Sequence, residues 1–398
     1  MRSRRLSTVL VTGLASLLLG VIACGGEQFQ EIANEVMTEL STQEAATAAA
    51  EAGGAGAPAA VTTDPALVSG AGTLWAVYFT DPVIPFDDVT SGGIENNLIA
   101  LINNANSSID AAMFEFNLDN VAQALIAAHQ RGVQVRIVYD NEHTEDDPQI
   151  DDVIAAGIPA VPDERSAFMH NKFYVIDQQI VWTGSTNITI NDVYRNNNNA
   201  VVIVSPEVAL NYTTEFEEMF LRGEFGARST ANTPYPGTAV GDMWVETYFA
   251  PEDDVMTQLI SLVSEAQQSI HFMAFSYTDY PLAETMMERG SAGADVRGVF
   301  ESRGANTDSS ECPTMLEAGY DVRLDANPRT FHHKVIIIDG AIVATGSFNY
   351  STNAAESNDE NLLILHNPQI AALYEQEFAR RYEQAVLPQN GQCLKPSE

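Results

Sequence analysis

Basic residues are scarce in this chain. Its 398 residues hold 19 lysines and arginines against 54 aspartates and glutamates, a formal charge of −35. Such a field repels polyanions over a Debye length, about 10 Å at moderate salt. Non-specific nucleic-acid binding rests on lysine and arginine neutralising phosphates, and no basic stripe exists to supply it. The deficit weighs against a nucleic-acid partner while leaving room for a local positive pocket. Long apolar runs are also missing: after Ile22 no stretch is long and apolar enough to span a bilayer. Cysteine is rarer still, at three, so at most one intramolecular disulfide can form.

The apolar run before Ile22 has a purpose of its own. Arg2, Arg4 and Arg5 precede the stretch Leu6 to Ile22, the pattern of a secretion signal. Val21-Ile22-Ala23-Cys24 resembles a bacterial lipobox, so residues 1–24 read as a lipoprotein signal with Cys24 lipidated. An ordinary cleaved signal or an anchor helix is the alternative. The expected location is the cell envelope, lipid-anchored to a membrane and facing the periplasm or the exterior. Cys312 and Cys393 then remain as an even pair in an oxidising compartment, expected to form a disulfide, with two unpaired buried thiols as the alternative. Residues 25–72, rich in Ala, Gly, Glu and Thr, read as a tether. As flexible coil they would reach roughly 35–40 Å.

The rest of the chain is written twice. HNKFYVIDQQIVWTGSTN runs from His170 to Asn187, and HHKVIIIDGAIVATGSFN from His332 to Asn349. Both carry His-x-Lys, four residues, Asp, six residues and Gly-Ser-x-Asn. One His-x-Lys-x4-Asp match arises by chance in roughly 2–5% of chains this long; two followed by the same GSxN do not. The repeat extends further, with IDAAMFEF (Ile109–Phe116) answering IHFMAFSY (Ile270–Tyr277) and RGVQVRIVYD (Arg131–Asp140) answering AGADVRGVFE (Ala292–Glu301). Strand and helix patterns alternate within each copy. We therefore expect an α/β protein of two repeated sandwich halves, each a mixed sheet flanked by helices, related by a pseudo-two-fold. The halves read as 73–225 and 242–390, with a linker at 226–241 and a tail at 391–398.

Alternate residues of a strand share a face, so His170 and Lys172 point one way, as do His332 and Lys334. Gly-Ser at 184–185 and at 346–347 ends a strand at a turn whose N–H groups can meet an anion. Asn187 and Asn349 add amide donors. Each half thus offers half of a phosphate pocket, and two halves face to face complete it.

The doubled HxKx4Dx6GSxN resembles the signature of the phospholipase D superfamily, over about residues 73–390. The resemblance implies two α/β halves sharing one active site, and a mechanism through a phosphohistidine that needs no metal or other cofactor. Carried over by position, His170 and His332 are nucleophile and acid, with His170 the nucleophile. Lys172, Lys334, Asn187 and Asn349 grip phosphate, Ser185 and Ser347 support the pocket, and Asp177 and Asp339 order it from behind. Members usually carry an acidic residue after GSxN that hydrogen-bonds the imidazole. Glu360 fits that place for His332, whereas Asn198 stands 28 residues after His170. His332 is accordingly expected to be the more basic of the two.

Bland readings suit the other candidates. The cluster Asp140, Glu142, His143, Glu145, Asp146 and Asp147 reads as a solvated loop before a Ca²⁺ site, and Asn196–Asn199 as a loop with one structural member. His271 and Trp182 read as packing residues, and Arg165, Arg195 and Arg329 as surface cations near the motifs. The leading function is a phospholipase D-like hydrolase that releases a head group and leaves phosphatidic acid, with a phospholipid or membrane surface as partner. A metal-independent endonuclease is second, a phosphatidyl transferase third, and a non-catalytic binding module last. Because both motifs lie in one chain, a monomer is expected.

Overall fold

The computed structural model describes residues 74–144 and 147–395; the signal, Cys24, the tether, Glu145, Asp146 and the last three residues lie outside this range. The first sheet comprises β1 (Trp75–Phe79), β2 (Ser108–Met113), β3 (Gln134–Tyr139), β4 (Ala160–Pro162), β5 (Phe173–Ile176), β6 (Ile180–Gly184) and β7 (Asn199–Val204). The second comprises β8 (Gly237–Val240), β9 (Met243–Ala250), β10 (Ser269–Ala274), β11 (Asp295–Phe300), β12 (Asp321–Leu324), β13 (Lys334–Ile338), β14 (Ile342–Gly346) and β15 (Glu360–His366). Their orders are β4-β3-β2-β5-β6-β7-β1 and β12-β11-β10-β13-β14-β15-β9-β8. Strand for strand these are one topology used twice. In each, three strands run parallel and the rest antiparallel. Residues 237–240, assigned to the linker by sequence, instead form β8 and pair with β9. Gly-, Pro- and Thr-rich composition hid four residues that extend a sheet edge.

The motif strands are near-continuous apolar runs because both of their faces are covered. Along β5, Tyr174 and Ile176 enter the outer core of the first half, while Phe173 and Val175 enter a central core. Along β13, Ile336 and Ile338 face the outer core of the second half, and Val335 and Ile337 the same central core. That central core is shared. Two long helices line it, α6 (Pro206–Arg222) and α11 (Pro368–Gln384). They contribute Val208, Tyr212, Phe216 and Met219, and Ile370, Tyr374 and Phe378, at helical spacing. Each starts on a side-chain cap followed by proline, Ser205-Pro206 and Asn367-Pro368. The outer faces are covered by α1 (Ile94–Asn104), α2 (Asp119–Gln130) and α4 (Pro148–Ala155), after a short α3 (Asn141–Thr144), and by α7 (Val255–Ser264), α8 (Tyr280–Ser291) and α9 (Glu311–Glu317). Two one-turn helices follow the GSxN turns, α5 (Ile190–Tyr194) and α10 (Thr352–Glu356). Cys312 on α9 is bonded to Cys393, across a sequence separation of 81, which pins the tail to the second half.

Candidate active site

The two His-x-Lys segments meet across the shared core, and each is laid against the other half. The backbone N–H of His170 donates to the Asp359 carbonyl at 3.0 Å, and that of His332 to Asn197 at 2.8 Å. Met169 and Phe331 form the corresponding short parallel bridges, to Asp359 and Asn197. Lys172 and Lys334 each donate to the carbonyl of their own histidine at 2.9 Å. Their ammonium groups sit over Phe114 and Phe275, at 4.6 and 4.7 Å from the ring centres. The same rings meet His170 and His332 edge-on, both at 4.7 Å. The first half's geometry is repeated in the second to within 0.2 Å in each of these contacts.

The orienting partners also cross over, contrary to the expectation from spacing. Glu360 reaches Nδ1 of His170 at 2.7 Å, not His332. His332 Nδ1 lies 3.0 Å from the side-chain oxygen of Asn198. Distance along the chain from each histidine was the wrong ruler, because the pseudo-two-fold brings the start of β15, and the residue just before β7, to the opposite half's histidine. Ser347 donates to Glu360 at 2.7 Å and Ser185 to Asn198 at 2.8 Å, so each serine steadies the group that holds the other half's imidazole. The glycines before these serines are required by close approach. A Cβ on Gly184 would lie 2.4 Å from the Asn199 carbonyl oxygen, and on Gly346 2.2 Å from that of Asn361.

Asp177 and Asp339 stand elsewhere than expected. Each sits past the far end of its motif strand and accepts backbone N–H groups there, from Asn106, Ser107 and Ser108 for Asp177 and from Gln267, Gln268 and Ser269 for Asp339. Burial pushes the Asp339 carboxyl up, but these donors outweigh it and hold it below its ordinary range. The conserved-looking spacing from Lys to Asp therefore measures the length of a strand, and the aspartate pins the start of β2 or β10 to its turn.

Asn187 donates from its backbone N–H to Asp192 at 2.8 Å and from its amide to Glu115 at 3.0 Å. The amide oxygens of Asn187 and Asn349 are buried with no partner among the described residues. Glu115 and Asp192 escaped the reading of the sequence, since neither is repeated: Ser276 and Ala354 stand at the matching places. Asn199 and Asn361 escaped it too, although they do repeat. Asn199 donates to Thr345 and to Tyr374, both at 2.9 Å, and Asn361 accepts from Thr183 at 2.8 Å and Tyr212 at 3.1 Å, so this pair stitches the halves beneath the site. The Asn196–Asn199 run thus holds several working members, where one was expected.

Burial sets the electrostatics. His170 and His332 are pushed well below the usual imidazole range, by desolvation first and the two lysines second. Burial lowers Lys172 to about 8 and holds Lys334 well below its ordinary range, while the nearby carboxylates act the other way. Glu360 is pushed up to about 7 by burial, against the pull of Lys172. Crowded cations with depressed pKa values suit a site that charges fully when an anion enters.

The remaining candidates fall outside the pocket. Asp140 accepts from the Met169 and His143 N–H groups and lies 2.9 Å from His143 Nδ1, supporting the chain just before His170. Arg165 is ion-paired to Asp359, and Arg195 donates to the carbonyls of Asp87 and Val89. Arg329 makes no side-chain bond among the described residues. His271 stacks on Phe378 at 4.6 Å, and Trp182 on Tyr78 at 5.6 Å.

A family model described as cardiolipin synthase, PLD-like domain, matches residues 98–220 and again residues 259–382, more than half of the chain in total. The chain belongs to this phospholipase D-like family. Among curated relatives, it is 32% identical over 132 residues to a mitochondrial cardiolipin hydrolase of Xenopus tropicalis, covering 33% of this chain and 63% of that one. It is 29% identical over 137 residues to a phospholipase D of Rickettsia conorii, covering 34% and 68%. The chain thus spans less than two thirds of the cardiolipin hydrolase's length. The phosphatidylserine synthase of Haemophilus influenzae shares the fold, with a TM-score of 0.60 over 83% of this chain and 90% of that one, at 15% identity.

Proposed function

We propose that the protein is a phosphodiesterase that hydrolyses phospholipid to phosphatidic acid and a free head group. The observation that carries this reading is the crossed pair of buried imidazoles, each beside its own lysine and each oriented by the opposite half. With Nδ1–H donated to Glu360, His170 keeps its Nε2 lone pair for attack on phosphorus. The phosphohistidine that forms carries positive charge on the ring, which Glu360 stabilises. His332 gives its proton to the leaving alcohol oxygen as the P–O bond breaks, then takes a proton from the water that releases phosphatidic acid. Lys172, Lys334, Asn187 and Asn349 hold the phosphate oxygens.

The expected assignment of His170 as nucleophile stands in this proposal, but on a corrected reason. A carboxylate beside the nucleophile stabilises the covalent intermediate, and it is His170 that has one in contact.

A lipid substrate is favoured over nucleic acid by the charge of −35 and by the printed names of the curated relatives. The acylated Cys24 and tether would hold the domain at an envelope membrane; radiolabelled palmitate incorporated by the wild type and lost in Cys24→Ala tests that part. The substrate test is phosphorus NMR on mixed phospholipid vesicles with the full-length protein in EDTA, beside His170→Ala. Phosphatidic acid formed only by the wild type supports the reading. A phosphatidyl ester of added glycerol in its place makes the protein a transferase, and unchanged lipid with cleaved single-stranded DNA makes it a nuclease.

A further inference from the structure

The two halves place their carboxylates differently. In the register of the repeat, Asn198 answers Glu360 and Asp192 answers Ala354. The negative charge of the first half therefore stands six positions earlier along the chain, on α5 instead of just before β7. Asp192 is buried, with 2% of its surface exposed, and its Oδ2 lies 3.8 Å from His332 Nδ1. The support around the charge has stayed the same. Asn196 donates to Asp192, as its counterpart Asn358 donates to Glu360.

We propose that Asp192 is the counter-charge of His332, a positioning residue that keeps this imidazole protonated for the leaving group. Asn198 accepts the Nδ1–H and fixes the ring's orientation, and Asp192 supplies the charge that an amide cannot. Against it stand Lys334, Lys172, His170 and His333, all of which disfavour a protonated His332. The division leaves His170 in direct contact with a carboxylate and gives His332 a more distant one. The acid is thereby stabilised enough to be loaded and held loosely enough to give its proton up.

This inference rests on the proposed hydrolysis for its kinetic arm and is independent of it in the other. Asp192→Asn removes the charge and keeps an acceptor oxygen for the Asn187 N–H, while the oxygen that accepts from Asn196 becomes an amide nitrogen, a change that Asn196 meets by turning its own amide. With an alkyl leaving group, which needs the proton, its kcat falls about tenfold to hundredfold. With bis(p-nitrophenyl) phosphate, whose leaving group needs none, it changes by less than about threefold. The double variant Asp192→Asn/Asn198→Asp, which puts the charge directly on Nδ1, recovers the alkyl rate. In ¹⁵N spectra the His332 imidazole titrates at lower pH in Asp192→Asn and returns in the double variant, while His170 does not move. Equal losses on both substrates, or an unmoved His332 titration in a folded variant, overturns the proposal. A wild type that cleaves no phosphodiester overturns the hydrolase reading instead and leaves the titration to judge Asp192.

Discussion

The first and second halves agree in geometry and disagree in charge. Rings, ammonium groups and backbone contacts at the site match to within 0.2 Å. Behind the site the matching positions diverge. Glu377 of the second half is buried against His333, and although burial pushes its carboxyl up, Arg381 and Arg380 outweigh that and hold it well below its ordinary range. Its counterpart Glu215 has Glu218 and Met219 where those arginines stand, with Glu252 beside it, and burial with like charge raises it well above that range. One copy of the repeat sets its buried glutamate in a neutralised ion network, and the other leaves Glu215 beside like charge, where burial favours its protonated form. In the proposed mechanism duplication supplies the symmetric grip on phosphate, and the charges that differ away from the first contact give the two histidines different tasks.

The largest effects should come from breaking the symmetric part. His170→Ala and His332→Ala are each expected to lower the rate on phospholipid by at least about 10⁴-fold, measured as phosphatidic acid released. Next come the orienting groups, which are unequal. Glu360→Gln should cost about 10²- to 10³-fold and Asn198→Ala only about tenfold, because the first removes a charge in contact with the covalent intermediate. Equal losses would mean that the crossed carboxylate does no more than orient.

Much of this was legible in the sequence, and the misreadings have one origin. The doubled motif gave the repeated topology and the four cationic groups, since strand alternation sets which side chains share a face. It could not tell which half Glu360 serves, because a pseudo-two-fold crossing leaves no trace in spacing. Asp177 and Asp339 looked catalytic by their fixed distance from Lys, yet that distance is the length of β5 or β13. Asp192 was invisible to a search for repeats because its value lies in not repeating.

Two stability experiments sharpen the comparison further. Only the second half carries a covalent staple. Replacing Cys312 and Cys393 by Ser removes a cross-link over 81 residues, expected to cost about 4 kcal/mol in denaturant unfolding while the rate on short-chain lipid stays the same. The carboxyl that the second half sets against Glu215 should show itself as pH dependence. Glu252 is raised by burial from 4.5 to about 7, so its folded form binds a proton that the unfolded form has lost. Stability from this group is present below pH 4.5 and is lost as pH rises through about 7. Glu252→Gln should therefore raise Tm by about 2–4 °C at pH 8 and leave it unchanged at pH 4, by calorimetry.

The crossed pairing is tested most directly by finding the covalent intermediate. His332→Ala, mixed with phospholipid vesicles and quenched at neutral pH, lacks the group that activates water and should accumulate a phosphatidyl adduct. Peptide mass spectrometry should place that adduct on His170, beside Glu360. An adduct on His332 in the His170→Ala protein, with none on His170 in its partner variant, would contradict the assignment and reverse the roles of the two halves.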